Sequence, residues 1–118
     1  MLSAKSLGAA ALLFLMSAGP VLAFGAIAVD DEQGVAADEV GYGIGWGESR
    51  KEAERNAMSE CRNAGNGNCR VAVWFETCGA YAGSRNNFQI GYGRTLRDAE
   101  QTALTNCPKC RIVVSECE

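Results

Sequence analysis

The chain has 118 residues, 6 cysteines, no histidine and a formal net charge of −3. The lack of histidine excludes catalytic triads built on imidazole and metal sites with histidine ligands. A nucleic-acid backbone requires a basic protein face, so the acidic balance argues against nucleic acid as a partner.

The first 23 residues have the pattern of a secretory signal peptide. Lys5 is their only charge, an apolar run extends from Leu7 to Met16, and Val21-Leu22-Ala23 fits the small-residue cleavage pattern. The run is shorter than the roughly 20 residues that a membrane span needs. We therefore expect cleavage after Ala23 and a secreted or periplasmic protein without a membrane span; an uncleaved N-terminal anchor is the alternative.

Removal of Lys5 leaves 10 basic and 14 acidic residues, a net charge of −4. All 6 cysteines lie in residues 24–118, and an even number in a short exported chain is typical of a disulfide framework. A domain of this size buries a modest core and usually needs such cross-links. We expect residues 24–118 to form a single domain.

Residues 24–78 predict the order strand, strand, helix, strand. An apolar strand covers residues 24–29, and an acidic turn follows, whose Asp30-Asp31-Glu32 run we interpret as solvated loop charge. Residues 40–47 alternate bulky side chains with glycine, which predicts a strand. Glycine leaves room for a close neighbour, so a helix is expected to cover either the glycine face or the bulky face.

The helix of this first unit begins at a capping box formed by Ser49 and Glu52. Its apolar residues fall on one side, as in an amphipathic helix, and it ends at Gly65-Asn66-Gly67-Asn68. Strand alternation over residues 69–77 places Val71, Val73 and Phe75 on one face and Arg70, Ala72, Trp74 and Glu76 on the other.

Residues 79–118 repeat this order. Ile44 and Ile90, Ser49 and Thr95, and Cys61 and Cys107 are each separated by 46 positions. A ββαβ unit is too small to bury a core alone. The predicted fold is therefore α+β, with tandem duplicated ββαβ units (24–78 and 79–118) packed about a pseudo-two-fold axis. We expect an antiparallel sheet with two helices on one side, stapled by disulfides.

The repeat restricts the disulfide pairing to two symmetric solutions. The local one, which we prefer, joins Cys61 to Cys69, Cys107 to Cys110 and Cys78 to Cys117. The rival solution pairs equivalent cysteines across the axis, Cys61 with Cys107 and Cys69 with Cys110.

Cys107-Pro108-Lys109-Cys110 is also a CxxC motif. A reactive CxxC thiol is normally activated at a helix N-terminus, whereas Cys107 ends a helix, where the dipole disfavours the thiolate. A zinc site would need Cys61, Cys69, Cys107 and Cys110 to converge as thiolates, which an oxidising compartment disfavours. We therefore expect no metal, no cofactor and no catalytic residues.

Arg70, Trp74 and Arg111 are the candidate partner-binding residues. If the helices cover the valine face of the sheet, these three side chains lie on its open face, and tryptophan beside arginine is typical of protein-binding hot spots. The alternative is a tryptophan half-covered by the first strand or by an arginine stem.

The duplicated pattern of glycine-rich strand, capped helix and Cys-Arg-Val strand resembles an exported bacterial family, domain of unknown function 4189. The shared residues include Gly25-Ala26-Ile27-Ala28, Ala53-Glu54, Ala57, Cys61, Cys69, Val71, Val73, Trp74 and Cys78-Gly79. The second repeat departs from the pattern, because Cys110 follows Cys107 unusually soon and Ser115 stands where an aromatic residue is expected. The resemblance implies a small exported domain without an established catalytic activity, and it supplies no active-site residues.

We expect a disulfide-stabilised protein-binding module, with an unidentified protein partner such as an envelope component, a hydrolase or a host factor. The alternatives are an exported thiol-disulfide oxidoreductase that uses Cys107 and Cys110, and a passive structural protein of the envelope.

Overall fold

The computed structural model describes residues 23–118. The predicted signal peptide, apart from Ala23, lies outside the described residues. The strands are β1 Phe24–Asp30, β2 Gly41–Gly47, β3 Arg70–Phe75, β4 Cys78–Gly83, β5 Phe88–Gly93 and β6 Arg111–Cys117. The helices are α1 Arg50–Asn63, between β2 and β3, and α2 Leu96–Thr105, between β5 and β6. The predicted ββαβ order is therefore confirmed in both repeats.

Each repeat forms its own three-stranded antiparallel sheet, with its first strand in the centre. The strand orders are β2-β1-β3 and β5-β4-β6. In the first sheet Ala26 pairs with Gly45 and Ala28 with Gly43, so the alanines and glycines share a face. A Cβ atom added at Gly43 or Gly45 would overlap the α1 backbone at Cys61 or Ala57. The glycine face is thus the one that the helix covers.

Both helices begin at the predicted caps. The Ser49 hydroxyl accepts a hydrogen bond of 3.1 Å from the Glu52 amide, and the Thr95 hydroxyl accepts one of 3.0 Å from the Asp98 amide. These bonds satisfy amide groups that a helix start leaves without a partner. The Glu52 carboxylate also reaches back, although it accepts from the Glu48 amide instead of the cap residue.

The two sheets pack against each other through their other faces. The buried residues between them come from both repeats: Ile27, Val29, Val40, Val73, Phe75, Tyr81 and Val114. The small-residue clusters under α1 and α2 are separate from this core.

The layers therefore run helix, sheet, sheet, helix, and the α+β class with two ββαβ units is confirmed. The layering differs from the expected single sheet with both helices on one side. Central strands β1 and β4 are apolar on both faces, so each buries alanines under its helix and larger side chains against the other sheet.

An irregularity in β3 changes which side chains share a face. Ile27 pairs with Val73 but Ala28 pairs with Val71, so Ala72 is an extra residue in the ladder. A β-bulge of this kind reverses the alternation beyond it. Val71 therefore lies on the helix side, and the face predicted to hold Val71 together with Val73 does not exist. The second repeat has the same shift between Tyr81 and Ala82.

Three disulfides connect the elements. The bonds are Cys61–Cys69, Cys107–Cys110 and Cys78–Cys117, which is the local one of the two symmetric pairings. The first two close the connection between each helix and the strand that follows it. The third joins neighbouring strands β4 and β6 within the second sheet, where Cys78 and Cys117 are directly opposite. Cys78 is the last residue of the predicted first repeat and the first residue of β4, so this bond closes the boundary between the repeats onto the last strand.

Candidate functional site

The bulge separates the predicted binding residues. Trp74 pairs with Ala26 and lies on the helix side of its sheet, whereas Arg70 pairs with Val29 and lies on the inter-sheet side. Arg111 is exposed at the start of β6, opposite Gly83 in the other sheet. Arg70, Trp74 and Arg111 therefore do not form one open patch.

Trp74 is half-buried by groups of its own repeat. Its ring lies 6.1 Å from the ring of Phe24, and the Arg50 guanidinium lies over it at 4.8 Å from the centroid. Arg50 is in turn paired with Glu54 at 3.0 Å. The tryptophan is thus half-covered by the first strand and an arginine, as in the alternative interpretation.

Arg70 belongs to a group of four side chains that we call the inter-repeat cluster: Asp31, Arg70, Tyr81 and Phe88. Oδ2 of Asp31 accepts hydrogen bonds from Nη2 of Arg70 at 2.7 Å and from the Tyr81 hydroxyl at 2.9 Å. The Phe88 ring stacks on Tyr81 at 5.5 Å and lies 5.0 Å below the Arg70 guanidinium. Asp31 and Arg70 come from the first repeat and the two rings from the second, so the cluster ties the halves together.

The polar side chains of the inter-repeat cluster shift one another's pKa values. Burial acts to raise the pKa of Asp31, but the hydrogen bonds from Arg70 and Tyr81 and the Arg70 charge outweigh it, so this pKa is lowered. Burial, followed by the bond to Asp31, raises the pKa of the Tyr81 phenol well above its ordinary value. Asp31 is therefore a half-buried charge held by hydrogen bonds, and not the solvated loop charge that its acidic run suggested.

A cleft of about 420 Å³, which we call the Tyr92 cleft, lies at the opposite end of β3 from this cluster. The cleft lies beside the end of β3, the start of β4 and the end of β5. The residues that line it are Trp74, Phe75, Glu76, Thr77, Cys78, Tyr92, Gly93 and Arg94. Tyr92 is 64% exposed, the highest exposure among the large apolar side chains of residues 23–118. Phe75 is 2% exposed, so it belongs to the core as well as to the cleft.

A difference between the repeats accounts for the exposure of Tyr92. In the first sheet Trp46, Gly25 and Phe75 form a row across the strands, and the Trp46 and Phe75 rings meet edge to face at 5.6 Å. The equivalent row of the second sheet is Tyr92, Gly79 and Glu116. Glu116 is exposed and stands where Phe75 stands in the first repeat, so Tyr92 has no aromatic partner across the strand.

Carboxylates outnumber cations around the Tyr92 cleft. Glu76 lines it, Glu116 shares a row with Tyr92, and the amide of Glu118 donates a hydrogen bond of 2.8 Å to the Thr77 carbonyl. Arg94 is the cation of the lining. The sequence interpretation did not single out this site, although the mismatch between Phe75 and Glu116 in the aligned repeats was a visible signal.

The Cys107–Cys110 disulfide lies apart from this cleft. The two residues are 3% and 8% exposed and follow the C-terminal end of α2. A cavity of about 240 Å³ beside them is lined by Ser84, Asn86, Asn87, Cys107, Pro108 and Lys109. Cysteines 61 to 117 are all paired, and residues 23–118 contain no group of three or more Cys, Asp or Glu side chains arranged to hold a metal ion.

Neither helix in residues 23–118 has the length and apolar character of a membrane crossing.

Comparison with solved structures finds similarity to the NMR structure of Rv1813c from Mycobacterium tuberculosis, with 29% sequence identity and a TM-score of 0.57. The alignment covers 85% of this chain and 78% of that chain. A search of curated proteins gives no significant match.

The match to a family model covers both repeats, from the first residue of β1 to the last residue of β6, residues 24–117. The chain therefore belongs to the family described as domain of unknown function (DUF4189).

Proposed function

We propose that this protein is a small exported, disulfide-stabilised module that binds another protein through the Tyr92 cleft. Tyr92 carries the proposal: a large aromatic residue, 64% exposed, lines a cleft whose other aromatic residues are Trp74 and Phe75. Tyrosine, tryptophan and arginine are enriched in the residues that dominate binding energy at protein interfaces. Tyr92 and Arg94 are of these types, and Phe75 supplies an apolar floor.

A protein partner suits this site better than an enclosed small molecule. The lining comes from strand ends and a short connection, and the Tyr92 residue is largely exposed to solvent. A small ligand in the cleft would leave most of the ring in water. A protein surface would cover the ring and the cleft together, with the charged groups around them as a polar rim.

The export part of the proposal has separate support. Three disulfides in a chain of this length suggest an oxidising, extracellular environment. The predicted signal peptide would deliver the chain to such a compartment, either the periplasm or the medium.

The oxidoreductase alternative uses Cys107 and Cys110. The low exposure of both residues and their place after the C-terminal end of α2 argue against a reactive thiolate. Thiol trapping on the native protein after mild reduction distinguishes the two functions. A Cys107–Cys110 bond that is reduced and reoxidised in preference to the other two would favour redox chemistry.

Photo-crosslinking tests the binding function directly. Benzoylphenylalanine replaces Tyr92 in one variant and Tyr42, an aromatic residue of β2 that is 42% exposed, in the control variant. We expect illumination of the exported protein in its envelope fraction or medium to give a discrete adduct from position 92 and none from position 42. An excess of unlabelled wild-type protein should compete the adduct away, and an excess of Tyr92→Ala should not. No adduct at position 92, or equal adducts at both positions, would contradict the proposal.

A further inference from the structure

We infer that the partner presents to the Tyr92 cleft a cationic segment, in which lysine or arginine flanks an aromatic or aliphatic side chain. This inference rests on the proposed function and specifies the chemistry of its partner. It follows from the shape and lining of the cleft and from the charges around it.

The cleft itself selects for an apolar side chain. Its volume of about 420 Å³ lies within the usual range for binding pockets, and Phe75 and Tyr92 give it two aromatic walls. In the second sheet Glu116 stands in the counterpart place of Phe75, and the Phe75 ring of the first repeat lies over Gly79, between Glu116 and Tyr92. An aromatic side chain from a partner would instead lie against the exposed ring of Tyr92, in the edge-to-face or offset arrangement that aromatic pairs prefer.

The charges around the cleft select for a cation. The ion pairs among residues 23–118 are Arg50–Glu54 and Arg70–Asp31. Glu76, Glu116 and Glu118 are exposed carboxylates that belong to neither ion pair. Arg94 offsets one of these three charges. Complementary charge on a partner would speed association and disfavour acidic competitors.

The net negative charge of the whole chain also favours a cationic partner. Without the predicted signal peptide the net charge is −4, so an acidic segment would approach against repulsion both locally and at longer range. Lysine or arginine beside the inserted side chain would lie at the level of Glu76 and Glu116. Arginine would add bidentate hydrogen bonds to a carboxylate.

The test is a fluorescence titration with short synthetic peptides that lack tryptophan and tyrosine. The chain has two tryptophans; Trp74 lines the cleft and Trp46 contacts Phe75, so both report on its occupation. The first peptide has phenylalanine between pairs of lysines, the second replaces the lysines with glutamates, and the third replaces the phenylalanine with alanine. We expect a saturable emission change with the first peptide and binding at least about tenfold weaker with the other two.

Matched variants separate the cleft from general charge. Glu76→Gln with Glu116→Gln should weaken binding of the lysine peptide about two- to fivefold, and Tyr92→Ala should abolish it. Glu39→Gln with Glu60→Gln removes the same charge from exposed sites on the loop after β1 and on α1, and should leave binding unchanged. Added salt should weaken binding in the wild type more than in the Glu76/Glu116 variant.

The outcomes distinguish this inference from the proposed function. If crosslinking from position 92 captures a protein while the glutamate peptide binds as well as the lysine peptide, the inference is overturned and the proposed function stands. A panel in which no peptide gives a saturable change also overturns the inference. If position 92 gives no crosslink, both the proposed function and this inference are contradicted.

Discussion

The Tyr81 hydroxyl, in the second repeat, donates a hydrogen bond of 2.9 Å to Asp31, in the first repeat. The same carboxylate oxygen accepts from Arg70 at 2.7 Å. In a fold made of two similar units, a directional hydrogen bond between them adds specificity to the non-directional attraction of the apolar core. This bond fixes one relative position, because a displaced sheet would leave a buried phenol without an acceptor.

Replacement of Tyr81 by phenylalanine should therefore destabilise the protein. The substitution keeps the stacking on Phe88 and removes only the bond to Asp31, so we expect a loss of about 1–2 kcal/mol in the free energy of unfolding. Urea denaturation followed by circular dichroism measures it. Tyr92→Phe is the control: this exposed ring makes no described hydrogen bond and should change stability by less than about 0.5 kcal/mol. Equal effects of the two substitutions would show that the inter-repeat bond contributes nothing.

The same cluster predicts how stability depends on acid. The pKa of Asp31 is lower in the folded protein than its ordinary value of 3.8. The unfolded chain therefore binds the proton more readily, so the stability from Asp31 is complete above the unfolded pKa and is lost as the pH falls through the folded pKa. Unfolding free energies of the wild type and Asp31→Asn, measured from pH 6 downwards, should differ most at pH 6. Their difference should shrink below about pH 4; a constant difference would contradict the role of this carboxylate as acceptor of the hydrogen bonds from Arg70 and Tyr81.

The disulfides should differ in their contribution to stability. Cys78–Cys117 closes a chain segment with a sequence separation of 39, against 8 for Cys61–Cys69. Loop-closure entropy predicts losses of about 4 and about 2.5 kcal/mol when each pair is replaced by alanine. Urea unfolding of Cys78→Ala/Cys117→Ala and Cys61→Ala/Cys69→Ala compares them. If loss of Cys61–Cys69 lowers the free energy of unfolding more than loss of Cys78–Cys117, this disulfide stabilises the protein mainly through native packing around α1. Restriction of the unfolded chain would then be the smaller effect.

Much of this fold follows from local patterns in the sequence. The caps at Ser49 and Thr95 and the repeated cysteines each depend on residues a few positions apart, and the constant offset of the repeats identifies the units. The preferred local pairing of Cys61 with Cys69 and Cys107 with Cys110 is the one found, although the repeat alone also allowed the pairing across the axis. These features require no knowledge of how the two halves meet.

The candidate site depended on long-range geometry that alternation alone does not specify. An extra residue at Ala72 moves Trp74 to the helix side and Arg70 to the inter-sheet side, and nothing in the β3 sequence marks that bulge. Asp31 likewise resembled a solvated loop residue, because its partner Tyr81 lies 50 positions away. Comparison of the repeats was more informative than either repeat alone, since Glu116 in the place of Phe75 marks the cleft beside Tyr92.

The close approach of β2 to α1 gives the sharpest prediction about packing. A Cβ atom at Gly45 would overlap the Ala57 amide nitrogen, a backbone atom that can move only with the helix. Gly45→Ala should therefore lower the free energy of unfolding by about 3 kcal/mol, as overpacking in a tight core does. Gly67→Ala is the control, because a Cβ atom there has no heavy atom within 4 Å, and the reduced freedom of the unfolded chain should change stability by at most about 1 kcal/mol in the favourable direction. Urea denaturation of both variants checks the pair, and a Gly45→Ala protein as stable as the wild type would mean that α1 does not lie on the glycine face of β2.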